Sequence, residues 1–92
     1  MKVQFYSAKE WCAACRKMYP TYREVAKRFE KSRFTFEEID VESDRGVDLS
    51  SARQVRNVPT ILILDNKGKE LERLCGTQTY ETLVETLKKY MK

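Results

Sequence analysis

The 92-residue chain contains no histidine and only three cysteines. A structural zinc site usually takes four nitrogen or sulfur ligands, commonly as two cysteine pairs, so these counts disfavour zinc binding. A site of three cysteines completed by a carboxylate or water stays open as an alternative. The chain also lacks any apolar run near the ~20 residues that a membrane-spanning helix requires, so we expect no membrane association.

The sequence has no repeats and no low-complexity segment. Residues 1–6 lead directly into a predicted strand, so we expect no signal peptide and a cytoplasmic location. Hydrophobic residues make up 41% of the chain and charged residues 35%, which is typical of a soluble globular protein. A chain of this length predicts one domain, spanning residues 1–92.

The net charge of +4 is unevenly distributed along the chain. Residues 15–33 contain seven basic and two acidic side chains, whereas residues 37–48 contain six acidic and one basic side chain. We interpret these segments as two solvated faces of opposite charge, and the alternative is that the basic helix attracts an acidic protein partner. Nucleic-acid binding is not predicted, because the chain has no surface motif that combines basic and aromatic residues.

Hydrophobic periodicity predicts four strands and three helices. The strands cover residues 3–6, 34–41, 60–64 and 70–75, and the helices cover residues 11–31, 44–55 and the segment after Thr79, a good N-cap. The order β-α-β-α-β-β-α predicts an α/β fold. We expect the first two strands to be parallel with a right-handed crossover, and the last two to form a hairpin through a turn at residues 65–68. The predicted architecture is a four-stranded mixed sheet flanked by helices.

Cys12 and Cys15 stand at the predicted start of the first helix, separated by two alanines. The unpaired N–H groups and the positive end of the helix dipole at this position favour a thiolate. Lowering the pKa of a cysteine thiol from about 8.5 to about 7 requires only roughly 2 kcal/mol of differential stabilisation. We therefore expect Cys12 to attack disulfides and the more buried Cys15 to resolve the mixed disulfide. An inert pair of core cysteines is an alternative that the spacing leaves open.

Several motifs occur together around this pair. They are Trp11-Cys12-Ala13-Ala14-Cys15, Pro20 five residues later, Val58-Pro59-Thr60 before an apolar strand, and Gly76 after the predicted hairpin. With the order of elements, they resemble the thioredoxin family over nearly the whole chain, without the family's first strand and helix. The resemblance implies a thioredoxin-like fold and a protein-disulfide reductase that needs no cofactor. It implies disulfide-containing protein substrates and an upstream thiol reductase, and we expect a monomer.

The resemblance also implies roles for residues of a substrate groove. Cys12 would be the exposed nucleophile, and Trp11 would flank it. Pro59 would follow a cis peptide bond and face the pair, leaving the backbone of Val58 free to bind an extended substrate strand. Gly76 would keep the opposite wall of the groove low. Considered alone, Pro59 fits equally well as a strand-start residue, and Trp11 as a core aromatic residue.

The sequence departs from the family pattern near the pair. Ala13-Ala14 replaces the usual Gly-Pro, which predicts a potential less reducing than the roughly −270 mV of thioredoxin. The family's buried acid is not evident, since an ungapped alignment places Tyr6 there. Glu38 aligns with a neighbouring buried lysine, and our hypothesis is that Glu38 accepts the proton of Cys15 in an apolar pocket that raises its pKa. The alternative is that Glu38 is a solvated strand residue.

The third cysteine, Cys75, aligns beside the groove, directly before Gly76. We interpret it either as an inert residue at a strand end or as a thiol that forms a regulatory or intermolecular disulfide. We predict no metal site. Two other functions stay open, namely a glutathione-dependent, glutaredoxin-like enzyme and a non-catalytic thioredoxin-fold module that binds a partner or carries a metal.

Overall fold

The structure is a computed structural model that describes residues 1–91. Its elements follow the predicted order: β1 (Lys2–Ser7), α1 (Ala13–Arg28), β2 (Thr35–Asp40), α2 (Asp44–Arg53), β3 (Thr60–Leu64), β4 (Glu70–Cys75) and α3 (Tyr80–Lys88). The sheet has the strand order β2-β1-β3-β4. β1 is parallel to β2, whereas β3 is antiparallel to both β1 and β4, so the predicted mixed sheet is confirmed.

One face of the sheet packs against α1 and α3. Alternation along β1 directs Val3 and Phe5 to this face, because successive side chains of a strand point to opposite sides. Leu83, Val84 and Leu87 of α3 are buried here, as the amphipathic pattern predicts. The other buried members of this larger core cluster come from α1, β3 and the segments that flank α1 and β2: Met18, Tyr19, Tyr22, Val25, Phe29, Phe34, Ile61 and Ile63.

The other face of the sheet packs against α2. Tyr6, Ile39, Leu62 and Leu64 are buried there, with half-buried residues of α2 and its flanking loops against them. β2 contributes to both faces, since Phe36 packs against the first cluster and Ile39 belongs to the second. The sheet is therefore covered on both faces. At one end of the sheet, β1 leads into the loop before α1, β2 leads into the loop before α2, and the loop that contains Pro59 leads into β3.

Several element boundaries differ from the sequence prediction by one to three residues, since β1 covers residues 2–7, β2 covers residues 35–40, α2 ends at Arg53 and both ends of α1 are shifted. α1 ends at Arg28 rather than at residue 31, because Phe29 leaves the helical region with φ −103° and ψ 16°, and Ser32 then donates its N–H to the Phe29 carbonyl at 3.0 Å. α1 begins at Ala13, so that Cys12 is its N-cap. The hairpin turn forms as predicted, with Gly68 at φ +84°. Among residues 1–91, no helix is both long and apolar enough to cross a membrane.

Candidate active site

Cys12 and Cys15 are joined by a disulfide bond across the first turn of α1. Their Cα atoms are 5.2 Å apart. Cys12 has the extended backbone of an N-cap residue, with φ −98° and ψ 97°, and its Sγ accepts the backbone N–H of Cys15 at 3.1 Å. A sulfur at this position therefore occupies the place that a serine or aspartate oxygen takes in an ordinary cap, facing the positive end of the helix dipole.

The two thiols differ in accessibility. Cys15 is fully buried, whereas the Cys12 side chain is 7% exposed. The order agrees with the expectation that Cys12 is the outer thiol, but Cys12 is less exposed in the disulfide than we expected. The reason is local packing, because Val41 and Val58 contact the pair and Ala8 lies fully buried against it.

Ala8 and Val41 were not predicted as site residues. Ala8 also accepts the backbone N–H of Cys12 at 2.9 Å, so it fixes the start of the helix as well as filling the space behind the pair. A small apolar residue directly before the charged pair Lys9-Glu10 is the one sequence signal that marks this position.

The loop between β1 and the pair is held by Arg16. Its guanidinium donates to the carbonyls of Lys9 and Glu10 at 2.8 and 3.2 Å. The next residue, Trp11, projects from this loop and is 62% exposed. Trp11 is therefore not a core aromatic residue, and its indole lies at the surface beside Cys12.

The loop before β3 lies against the pair from the other side. The Val58–Pro59 peptide bond is cis, as expected. Pro59 is buried, and its carbonyl accepts the backbone N–H of Gly76 at 2.8 Å. Gly76 has φ +85°, and a Cβ added to it would have no atom within 4 Å. Within residues 1–91, the backbone N–H and C=O of Val58 have no hydrogen-bond partner.

A cleft of about 290 Å³ lies beside the pair. We call it the Trp11 cleft, and its lining residues are Trp11, Val41, Val55, Arg56, Asn57 and Val58. Val41 and Val58 line this cleft and also pack against the two cysteines. Neither cysteine lines the cleft itself, and Arg56 is its one charged lining residue.

Glu38 does not lie in an apolar pocket beneath Cys15, so the proton-acceptor hypothesis is wrong. Its side chain is exposed and forms a two-pronged ion pair with Arg23, with both N–O distances 2.9 Å. Hydrogen bonding from Arg23 lowers the pKa of the Glu38 carboxyl, the opposite of the raised pKa that the hypothesis required. The alternative, a solvated strand residue, describes Glu38 correctly.

Tyr6 does not replace the family's buried acid either. It packs on the α2 face of the sheet, and its hydroxyl donates to Gln4 Oε1 at 2.7 Å. On the α1 face, a buried hydroxyl pair was missed by the sequence analysis. Ser7 at the end of β1 hydrogen-bonds Tyr19, which lies one turn after Cys15 on α1. The spacing of Cys15 and Tyr19 was the available signal, since residues four apart share a helix face.

Cys75 is a free, exposed thiol at the end of β4. β4 is an edge strand of the sheet, and Cys75 pairs with Thr60 in the register of the hairpin. No group of three or more histidine, cysteine, aspartate or glutamate side chains in the described part of the chain is arranged to hold a metal ion. In this arrangement, Cys75 therefore does not complete a metal site with the pair.

The comparisons with known proteins agree with this geometry. A family model described as Thioredoxin matches residues 1–89. The chain belongs to the thioredoxin family. It is 33% identical to a thioredoxin of Mycoplasmoides gallisepticum over 86 residues, which are 94% of this chain and 79% of that protein. Thioredoxin 1 of Thermosipho africanus superposes with a TM-score of 0.80 at 27% identity, covering 98% of this chain and 93% of that one.

The thioredoxin family also includes domains of larger proteins. The chain is 33% identical over 89 residues to a protein disulfide-isomerase of Medicago sativa. The match covers 95% of this chain but only 17% of the plant protein, and the chain therefore corresponds to about a sixth of that relative.

Proposed function

We propose that this protein is a thiol–disulfide oxidoreductase that reduces or exchanges disulfides of other proteins through Cys12 and Cys15. The observation that carries the proposal is the position of Cys12. It caps α1, is bonded to Cys15, and lies against the loop that contains Val58 and Pro59. Membership of the thioredoxin family supports the same activity.

The reaction begins from the reduced dithiol. The Cys12 thiolate attacks one sulfur of a substrate disulfide, which breaks that bond and releases one substrate thiolate. The mixed disulfide between Cys12 and the substrate is then attacked by the Cys15 thiolate at the Cys12 sulfur. This step releases the second substrate thiolate and forms the Cys12–Cys15 disulfide. Two electrons and two protons pass from the dithiol to the substrate.

The helix terminus favours Cys12 as the attacking thiol. The Cys15 N–H that bonds the Cys12 sulfur at 3.1 Å would stabilise a thiolate more than a thiol, because a hydrogen bond to an ionised acceptor is stronger. The full burial of Cys15 prevents external disulfides from reaching it first. The difference in accessibility supports attack by Cys12 and resolution by Cys15.

The groove residues hold the substrate. The free backbone groups of Val58 can pair with an extended substrate segment, in the manner of an added strand. In this proposal Trp11 and Gly76 flank the groove, and the position that a Gly76 side chain would occupy has no atom within 4 Å. In this proposal, Pro59 positions the Val58 backbone opposite the thiol pair.

The proposal includes a reducing cellular setting. The chain contains three cysteines, one of which is an exposed free thiol, and this pattern suits the cytoplasm better than an oxidising compartment. The protein would act as a monomer and without a cofactor. The oxidised pair would be returned to the dithiol by an upstream thiol reductase.

Trapping of the mixed disulfide tests the proposal. Cys15→Ser removes the resolving thiol, so we expect the variant to accumulate a covalent adduct with a disulfide-containing protein such as insulin. Cys12→Ser should give no adduct and no reduction, and Cys75→Ser should reduce insulin at the wild-type rate. Adducts that form equally on Cys12→Ser would overturn the proposal, and reduction that requires added glutathione would favour the glutaredoxin-like alternative.

A further inference from the structure

A cavity of about 360 Å³ lies on the α2 face of the sheet, at the end opposite the thiol pair, and we call it the α2 cavity. Lys2 and Gln4 at the start of β1 line it, whereas Cys12 and Cys15 follow the last residue of β1. The end of β3 and the turn at residues 65–68 form part of its wall. The volume lies within the range of roughly 300–1,000 Å³ that small-molecule sites occupy, so a small ligand could bind here without touching the redox centre.

α2 directs one row of side chains toward the α2 cavity. Arg45, Leu49 and Arg53 all line it, and residues spaced four apart lie on the same face of a helix. Leu49 is half-buried against the sheet, where buried Leu64 also lines the cavity. The wall therefore combines two guanidinium groups with an apolar surface between them.

The charged side chains that line the α2 cavity are three cations, Lys2, Arg45 and Arg53, and one acid, Asp65. None of the four ion pairs found among residues 1–91 includes Lys2 or Arg53. The guanidinium of Arg53 lies beside Gly68 instead, with its Nη2 3.4 Å from the position that a Cβ on that glycine would occupy. The cavity thus presents two cations that have no ion-pair partner in the described part of the chain.

The acids at this cavity already have partners. Glu37, which lies just outside it, pairs with Arg45 at an N–O distance of 2.9 Å and compensates that one arginine. Oδ1 of Asp65 accepts the backbone N–H groups of Lys67 and Lys69 at 2.8 and 2.9 Å, within its own turn. Even when both carboxylates are counted, the charge around the cavity remains positive, and it therefore favours an anion.

A buried amide also lines the α2 cavity. Gln4 is only 4% exposed. Its Oε1 accepts the hydroxyl of Tyr6 at 2.7 Å, and its Nε2 donates to Glu37 Oε1 at 3.0 Å. An amide nitrogen carries two hydrogens, and within residues 1–91 the second hydrogen has no other acceptor. Gln4 therefore supplies a donor that its neighbours hold in place, of the kind that orients a bound ligand.

We infer that the α2 cavity binds a small organic phosphate, with Lys2 and Arg53 holding the phosphate group. A phosphate monoester carries a charge of about −1.5 to −2 at pH 7, which matches two cations without partners. The planar fork of an arginine also suits two phosphate oxygens at once. The inference goes beyond the proposed function, because none of these residues belongs to the site around Cys12.

The size and walls of the α2 cavity favour an organic phosphate over a free phosphate ion. At about 30 Å³ for each water molecule, the cavity has the volume of roughly a dozen waters, more than the five heavy atoms of a free phosphate would fill. Leu49 and Leu64 would contact an apolar organic part while the cations contact the phosphate. Phenyl phosphate has both parts and is therefore the probe.

An NMR titration of the full chain tests the inference. Amide spectra are recorded at pH 7 and constant ionic strength with phenyl phosphate, inorganic phosphate or phenol. We expect phenyl phosphate to cause saturable shifts confined to residues 45–53 and 64–68 and the start of β1, with a Kd of about 1 mM or lower. Inorganic phosphate and phenol should each bind at least about fivefold more weakly.

Two variants and a matched control locate the phosphate. Arg53→Gln should weaken the binding of phenyl phosphate about tenfold, since a hydrogen bond to a charged group is lost, and Lys2→Gln should weaken it in the same direction. Lys67→Gln removes the same charge from the neighbouring turn, at an exposed position that does not line the cavity. It should bind within about twofold of wild type, and the dispersion of each spectrum checks the fold.

Several outcomes would overturn the inference. They are shifts spread over the basic surface of α1, equal affinity of Arg53→Gln and wild type, and equal affinity for phenyl phosphate and either inorganic phosphate or phenol. Insulin reduction by Arg53→Gln should stay at the wild-type rate whatever the titration gives. Failure of the inference is therefore separate from failure of the proposed function.

Discussion

The backbone N–H of Gly76 donates to the carbonyl of Pro59 at 2.8 Å. This bond joins the end of the edge strand β4 to the loop that lies against the thiol pair. Gly76 accomplishes it with φ +85°, in the left-handed region that glycine adopts without a steric cost. The end of β4 and the loop that contains Pro59 are therefore joined through one residue that has no side chain.

Gly76→Ala tests this dependence. We expect the free energy of unfolding to fall by about 1 kcal/mol, because a Cβ disfavours the left-handed backbone even where it meets no neighbouring atom. Chemical denaturation measures the change. Thr77→Ala, at the exposed neighbouring position, is the control and should stay within about 0.5 kcal/mol of wild type. Equal stability of Gly76→Ala and wild type would contradict this account of Gly76.

Much of the fold was predictable because the signals are local. The apolar run of β3 and the turn at Gly68 fix the hairpin, and the bounds of β3 and β4 match the prediction. The position of Cys12 at a helix start was predictable from the local pattern, whereas the cis bond before Pro59 was predictable only through the resemblance to the thioredoxin family.

The role of Glu38 was not predictable, because it depends on which residue approaches from another element. Its place on β2 directs it to the α1 face, where Arg23 of α1 reaches it. The contacts of Ala8 and Val41 with the thiol pair are of the same kind. Sequence spacing gives the face of an element, but not which side chains from two elements meet there.

Glu38→Gln should leave the chemistry of the pair unchanged. The Glu38 carboxylate pairs with Arg23 at the surface, so we expect the mixed disulfide to resolve at the wild-type rate at pH 7. Single-turnover reduction of a disulfide peptide measures this rate. Glu24→Gln, another exposed glutamate, is the matched control. A resolution step slowed tenfold in Glu38→Gln alone would restore Glu38 as a proton acceptor.

The same pair predicts a pH dependence of stability. Arg23 lowers the pKa of Glu38 below its ordinary 4.5 in the folded protein. A lowered pKa stabilises the fold above the ordinary value, and this contribution is lost as the pH falls through the lowered pKa. Wild type should therefore be more stable than Glu38→Gln above pH 4.5, with a difference that shrinks on acidification. Urea unfolding across this range tests it, and a difference that grows in acid would be inconsistent with the pairing.

Tyr22 joins α1 to the sheet through its hydroxyl. The hydroxyl lies 2.9 Å from the Val3 carbonyl and 2.7 Å from the Glu37 carbonyl, and burial raises its pKa, so it stays a neutral donor. Tyr22→Phe should cost about 1–2 kcal/mol, since buried carbonyls lose their donor. Tyr80→Phe, whose hydroxyl accepts from Arg28 at the surface, should cost less than about 0.5 kcal/mol. Thermal or urea unfolding that ranks the two in reverse would refute the assignment.

Ala14 gives a way to change the redox potential. It occupies the first turn of α1, where its backbone N–H has no hydrogen-bond partner within residues 1–91, so proline is tolerated there. Ala14→Pro restores the proline that the family usually carries and should make the potential more negative. Equilibration with glutathione measures the shift, and Ala13→Ser is the control. A shift to a less reducing potential would refute this role of the dipeptide.

The most direct test of the account is the redox equilibrium of Cys12 and Cys15 themselves. The Cys75→Ser protein is equilibrated with glutathione buffers, and the fluorescence of Trp11, the one tryptophan in the chain, reports the state of the pair. We predict a single two-electron transition at a potential above about −270 mV, which disappears in Cys12→Ser. The absence of any transition, or an unchanged transition in Cys12→Ser, would contradict the assignment of the pair as the redox centre.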